Sequence, residues 1–190
     1  MRDEENCYHT VSCTTRGPRE GEEDGVNYHF LSDDEFVGRI EQGDFLEHAH
    51  VFGRRYGTLK SEVLGRLETG QDVIMDIDVQ GAAQVRACAD DGIQLSYVDV
   101  FILVPLEELR ARLANRGTEG PEQLALRLGE AMKEIAHWDR YQYAISSGNQ
   151  LDDREALRSI LAAERRRTKR LSQLREGDSG PNGLSCPESY

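Results

Sequence analysis

Lysine is almost missing from this sequence: Lys60, Lys133 and Lys169 stand against 20 arginines in a total of 23 basic residues. None of the three follows a glycine, which excludes a G-x-x-x-x-G-K-[ST] phosphate loop within these 190 residues. The nearest imitation, Gly57-Thr58-Leu59-Lys60-Ser61, sets its glycine three positions before the lysine. Long apolar runs are also missing. Nothing approaches the roughly 20 residues that cross a bilayer, so no membrane partner is expected. Cysteine is sparse: Cys7, Cys13, Cys88 and Cys186 show neither CxxC spacing nor paired histidines, which favours reduced thiols over zinc or disulfides. The opening MRDEENCYHT carries acids where a secretory signal needs an apolar core, and a cytoplasmic location is expected. Net positive charge is absent too. A formal charge of -12 argues against broad binding to nucleic acid or anionic membrane. A small phosphorylated ligand stays open, because screening confines charge effects to about 8 Å at physiological salt. Arginine suits bidentate phosphate contacts, although genome base composition explains the bias equally well.

What is present is an ordinary globular composition, 38% hydrophobic and 31% charged. The length suits one compact domain with a small inserted lobe. Thr10 to Cys13 is a short strand candidate, followed by the polar stretch TTRGPREGEEDG. Ser32-Asp-Asp-Glu35 is a capping box that opens a helix through Gln42, with Gly43 as its stop. Phe45 to Phe52 and Tyr56 to Thr58 predict an antiparallel pair turning near Gly53. Beyond this point helix and strand alternate. Helices are predicted over Leu59 to Glu68, Val79 to Ala89, Leu106 to Gly117, Pro121 past His137, and Arg154 to Leu171; strands over Val73 to Ile77, Val98 to Val104 and Tyr143 to Ile145. Such alternation indicates a parallel α/β sheet flanked by helices, with the early short strands forming a small mixed lobe. From about Arg175 the chain reads as a disordered tail.

Four pieces carry chemistry. In Ser12-Cys-Thr-Thr-Arg16-Gly-Pro-Arg19-Glu-Gly-Glu22, two arginines three apart can converge on one dianion. The second is Tyr28-His-Phe30. The third is Glu47 in FLEHA, followed by Arg54-Arg-Tyr56-Gly-Thr58. A strand carboxylate can accept two parallel hydrogen bonds from guanine's ring NH and exocyclic amino group, a pair adenine does not offer. The fourth is Val73-Ile-Met-Asp76-Ile-Asp78-Val-Gln-Gly81, an apolar strand ending in acids at the edge where α/β ligand sites lie. Singly, each has a plainer meaning: a solvated charged turn, a packed tyrosine, a solvent-facing glutamate, a helix cap.

In order and spacing together the pieces are specific, and they resemble the guanylate kinase family. The resemblance runs on through Arg112-Leu-x-x-Arg116-Gly-Thr, Arg127-Leu128 and Glu134-Ile-Ala, covering about Val11 to Arg167. It implies a P-loop NTPase-like fold, with a GMP-binding lobe over about 14–72 and a helical lid over about 106–140 of a domain spanning 1–174. It implies that Arg16, Arg19, Tyr28 and Tyr56 hold the phosphate of GMP, and that Ser12, Glu47 and Thr58 read the guanine. Asp78 or Asp76 would close the site near the nucleoside and the metal. Arg116 and Arg127 would act from the lid on the transferring group, with Asp76 as the third catalytic residue. The implied chemistry is phosphoryl transfer from ATP to GMP with Mg2+.

Two features depart from the family pattern. The first strand and phosphate loop are expected to be missing, leaving neighbouring sheet edges and apolar faces uncovered. Where the family has an apolar strand ending in Asn-Asp-Asp, this chain reads Ser146-Ser-Gly-Asn149-Gln150. The GMP side is therefore expected to be intact and the ATP side incomplete. The alternative is a non-catalytic module that binds GMP or a phosphopeptide, with a protein partner.

Overall fold

In the computed structural model, which describes residues 6–115 and 121–168, short strands fill the first third of the chain and helices alternate with strands in the rest. A four-stranded sheet is built from β2 (Cys13–Thr14), β3 (His29–Phe30), β4 (Phe45–Val51) and β5 (Arg54–Leu59), in the order β3-β2-β5-β4. Two parallel ladders complete the strand inventory of the described residues. β1 (Cys7–His9) pairs with β6 (Asp72–Ile74), and β7 (Val100–Leu103) with β8 (Tyr143–Ser146). Ile102 of β7 is 44% exposed. The helices are α1 (Asp33–Glu41), α2 (Lys60–Glu68), α3 (Val79–Arg86), α4 (Asp91–Ser96), α5 (Leu106–Asn115), α6 (Pro121–Ile135) and α7 (Gln150–Glu164). Among the described residues no helix is long and apolar enough to cross a membrane, and Cys7, Cys13 and Cys88 are in no disulfide.

Local chemistry explains most boundaries. The Ser32 hydroxyl accepts from the Glu35 backbone N–H while Glu35 accepts from the Ser32 backbone, a complete capping box. Phe52 and Gly53 both take positive φ, 49° and 75°, so β4 and β5 turn through a two-residue loop whose twist suits a hairpin. Several boundaries differ from the sequence expectation: β6 ends at Ile74 rather than Ile77, α6 at Ile135 rather than past His137, and α7 at Glu164 rather than Leu171. Three further differences have a local cause. The predicted strand over Thr10 to Cys13 is instead a crossing between sheets: β1 lies earlier, β2 later, and the Thr10 N–H bonds Ile74 O at 3.0 Å. The helix after Asp78 stops at Arg86, because Asp90 offers its carboxylate to the Ile93 N–H and starts α4. The last helix begins at Gln150, four residues early, since Asn149 Oδ1 accepts from both Leu151 and Asp152 N–H. Arg116 and the expected tail over 175–190 lie outside the described residues.

Two apolar clusters hold the fold. Leu46, Val63, Val85 and Ile93 join β4 to α2, α3 and α4. Cys13, Phe36 and Phe45 join α1 to the mixed sheet, with the two rings stacked at 4.4 Å. A polar knot ties the second half together. Asp99, 6% exposed, accepts from Arg86, from the Tyr97 hydroxyl and from the Gln142 N–H. Asp99→Ala would leave three donors without their acceptor. It is expected to lower stability by about 2–4 kcal/mol, read as a shift of the urea midpoint; a loss under ~0.5 kcal/mol would show that water replaces the carboxylate.

Candidate functional site

Strand register brings the first group of residues together. Glu47 on β4 lies opposite Thr58 on β5, past a bulge between Phe45 and Glu47 that advances β4 by one residue. Directly opposed residues share a face, and Thr58 Oγ1 in turn meets Ser12 Oγ at 3.5 Å. Thr58 is fully buried and Glu47 is 4% exposed. Burial pushes the Glu47 carboxyl above the usual carboxylate range; hydrogen bonds from Thr58 oppose this, and the charge of Asp78 adds to it. Asp78 is engaged locally as well. It caps α3 by accepting from the Gly81 N–H at 2.8 Å and from Gln80 Nε2 at 3.0 Å. The helix-cap role and a place beside Glu47 are thus both true of this residue.

The second group gathers on the loop after β2. Arg16 donates from both terminal nitrogens to Glu22, at 2.9 Å each, and from Nη1 to Gly17 O. Its guanidinium lies 5.3 Å from the Tyr28 ring centre and 5.9 Å from that of Phe30. Tyr28 and Tyr56 meet edge to face at 6.2 Å. The Glu22 hydrogen bond, offset by burial and supplemented by Tyr56, holds Arg16 above its usual range. The same bond first, then the Arg19 backbone N–H, holds the Glu22 carboxyl below its own. Arg19 is exposed and meets Glu22 through that backbone N–H at 2.7 Å. The structure therefore converges Arg16, Tyr28 and Tyr56, with the Arg19 side chain at the exposed rim.

The third group is looser. Asp76 is exposed just past the end of β6. Arg127 on α6 sits 5.1 Å over the ring of Phe52 at the tip of the β4–β5 hairpin. Between hairpin and helix lies a cleft of about 210 Å³ lined by residues that include His50, Asp78, Glu130 and Glu134. Burial, then Asp78 and Glu130, raises Glu134. Asn149, in the segment that departs from the family's Asn-Asp-Asp pattern, caps α7. No group of three His, Cys, Asp or Glu side chains that could cage a metal occurs among the described residues.

A family model described as guanylate kinase matches residues 2–164. The chain belongs to the guanylate kinase family. It is 48% identical over 165 residues to a guanylate kinase of Clostridium perfringens, covering 86% of this chain and 74% of the relative. Against a guanylate kinase of Alkalilimnicola ehrlichii the identity is 46% over 175 residues, covering 92% and 84%. A crystal structure of guanylate kinase from Anaplasma phagocytophilum superposes with a TM-score of 0.76 at 32% identity, covering 91% of this chain and 85% of that one. The P-loop NTPase-like α/β fold expected from the sequence is that of the guanylate kinase family.

Two contributors to the site went unnoticed in the sequence. Glu22, the acid that orients Arg16, sits in the recognised motif but carries no signal of its pairing. Gln84 clamps α3 onto β4: its Nε2 donates to His48 O at 2.6 Å and its Oε1 accepts from the His48 N–H at 3.1 Å. A glutamine on a helix face gives no hint of such a partner 36 positions away.

Proposed function

We propose that this chain binds GMP and passes it the terminal phosphoryl group of ATP, giving GDP and ADP. The observation that carries this is the presence of two unlike side-chain groups in one lobe: a buried carboxylate beside two hydroxyls, and an arginine against two tyrosines. In this assignment Glu47 accepts from guanine's ring NH and amino group, while Thr58 and Ser12 meet its carbonyl oxygen. Arg16, Tyr28 and Tyr56, with Arg19 at the rim, hold the phosphate. Glu22 orients Arg16 beforehand, which reduces the ordering left to be done on binding. Asp78 borders the nucleoside. Residues from about 14 to 72 form the GMP lobe, and those from about 106 to 140 the lid that brings Arg127 and Arg116 to the transferring group. Phosphoryl transfer needs positioning and charge neutralisation more than covalent help.

Mg2+ fits the donor set. One exposed carboxylate, Asp76, and no protein cage among the described residues suit an ion held mainly by substrate phosphates and water. When bound with ATP, the ion would supply charge neutralisation at the phosphate oxygens.

Titration calorimetry with GMP and an assay of GDP formation from GMP and ATP with Mg2+ test the assignment together. Binding with turnover supports it. Binding without turnover would move the chain to the second assignment, a GMP-binding module, favoured by the lack of a Gly-Lys phosphate loop within these 190 residues. No binding would overturn both.

A pH dependence follows from Glu47. Guanine's two donors require the ionised carboxylate, and burial first, with Asp78 adding to it, raises its pKa. GMP affinity should therefore fall on acidification sooner than for an ordinary glutamate. The parent is expected to lose affinity more steeply on acidification than Glu47→Gln, which retains only the phosphate's own titration near pH 6. Parallel profiles would remove Glu47 from the site. The folding term has the opposite sign. A raised carboxyl pKa favours the fold below the ordinary range, and that contribution is lost as pH rises through the folded value.

A further inference from the structure

The first turn of α3 runs directly against the Glu47 carboxylate. A Cβ placed on Gly81 would stand 2.4 Å from Glu47 Oε2, 3.0 Å from Glu47 Cδ and 3.3 Å from Ile77 Cβ. The first of these distances is one that real Cβ atoms do not show, so an alanine here forces something to move. The helix is not free to do so. The Gly81 N–H is fixed to Asp78 Oδ1, and Gln84 pins the next turn to both sides of the His48 peptide. The carboxylate is equally confined, 4% exposed and opposite the fully buried Thr58. Two other helix glycines are different. Gly65 in α2 and Gly129 in α6 face open space, with nothing within 4 Å of an added Cβ. Glycine in a helix is less favourable than alanine, and at position 81 the steric need for the missing methyl is evident.

We infer that Gly81 is a positioning residue that determines base specificity: its bare backbone forms the floor on which the Glu47 carboxylate rests. This deepens the proposed function, since it rests on Glu47 reading the guanine. With a methyl at position 81 the carboxylate is pushed off that floor, away from its alignment with two parallel donors. The base most affected is then one whose amino group supplies the second donor. A site built around a buried hydrogen bond discriminates strongly against a ligand lacking it, so misplacing the acceptor should narrow that discrimination.

The test uses Gly81→Ala, Glu47→Ala and the double variant, with Gly65→Ala as the open-space control. Urea midpoints report the collision without any ligand. Gly81→Ala is expected to lower the midpoint in the parent and to leave it nearly unchanged in the Glu47→Ala background, where the methyl has room. Equal shifts in both backgrounds would overturn the inference. Should Gly81→Ala fail to fold, recovery of folding in the double variant supports it, and failure of the double variant overturns it. In titrations, Gly81→Ala is expected to weaken GMP by at least about tenfold and to shrink the preference for GMP over IMP, which lacks the amino group. Gly65→Ala should change neither. An unchanged GMP-to-IMP ratio in Gly81→Ala overturns the specificity role. If Glu47→Ala itself leaves GMP binding intact, the guanine assignment falls while the stability coupling stands, so the two failures are distinguishable.

Discussion

Replacing Glu47 with alanine is expected to weaken GMP binding by about 150-fold. Two charge-assisted hydrogen bonds to guanine, at roughly 1.5 kcal/mol each, give ~3 kcal/mol, and each 1.36 kcal/mol is about a factor of ten. Removing the carboxylate also removes its own desolvation on folding. That second effect gives the experiment an independent signature. Burial raises the Glu47 pKa, so near neutral pH the ionised side chain opposes the fold. The isosteric Glu47→Gln variant should bind GMP poorly yet melt no lower than the parent, as expected where a function is maintained at a cost in stability. Titration calorimetry checks the first statement and thermal unfolding the second. Affinity within threefold of the parent would sink the guanine assignment. A large drop in melting temperature for Glu47→Gln would mean that the carboxylate is structural.

Phe36→Ala is expected to have the largest effect on stability, a loss of about 3–5 kcal/mol. Phe36 is fully buried and stacks on Phe45 at 4.4 Å with a 22° angle between rings. Cys13 completes the cluster, with Leu31, Ile40 and Leu59 packed around it. The loss is a large part of the 5–15 kcal/mol that holds a typical domain together. It also falls where the site is built: Cys13 adjoins Ser12, and Phe45 lies two residues before Glu47 on the same strand. GMP binding should therefore weaken along with the urea midpoint. A change of less than ~1.5 kcal/mol would mean that the lobe closes over the vacated space.

Much of this architecture was legible because its causes are local. The Ser32–Glu35 capping box, the turn at Gly53 and the alternation of helix and strand each follow from residues a few positions apart. Where local signals competed, the boundaries moved. A strand is predicted over Thr10 to Cys13, but the chain there passes from one sheet to another. Helical periodicity carried α3 too far, because Asp90 had its own use for a backbone N–H. The candidate site was legible in a different way, through the order of motifs. That order named Ser12, Glu47 and Thr58, and strand register then set Glu47 against Thr58. It also named Arg19 beside Arg16; the Arg19 side chain is exposed, and its backbone N–H meets Glu22.

The scarcity of lysine, the acidic net charge and the spacing of the motifs were settled by the sequence alone. So was the absence of a Gly-Lys phosphate loop within these 190 residues. These are properties of residue identity and adjacency, and folding does not alter them. Tertiary structure decided the state of the chemical groups. It buried Glu47 to 4% exposure and thereby raised its pKa, tied Arg16 to Glu22, and set Gly81 where a single methyl would strike the carboxylate. Burial and steric exclusion depend on which surfaces meet. β4 and α3 meet through side chains whose spacing along the chain carries no trace of the contact.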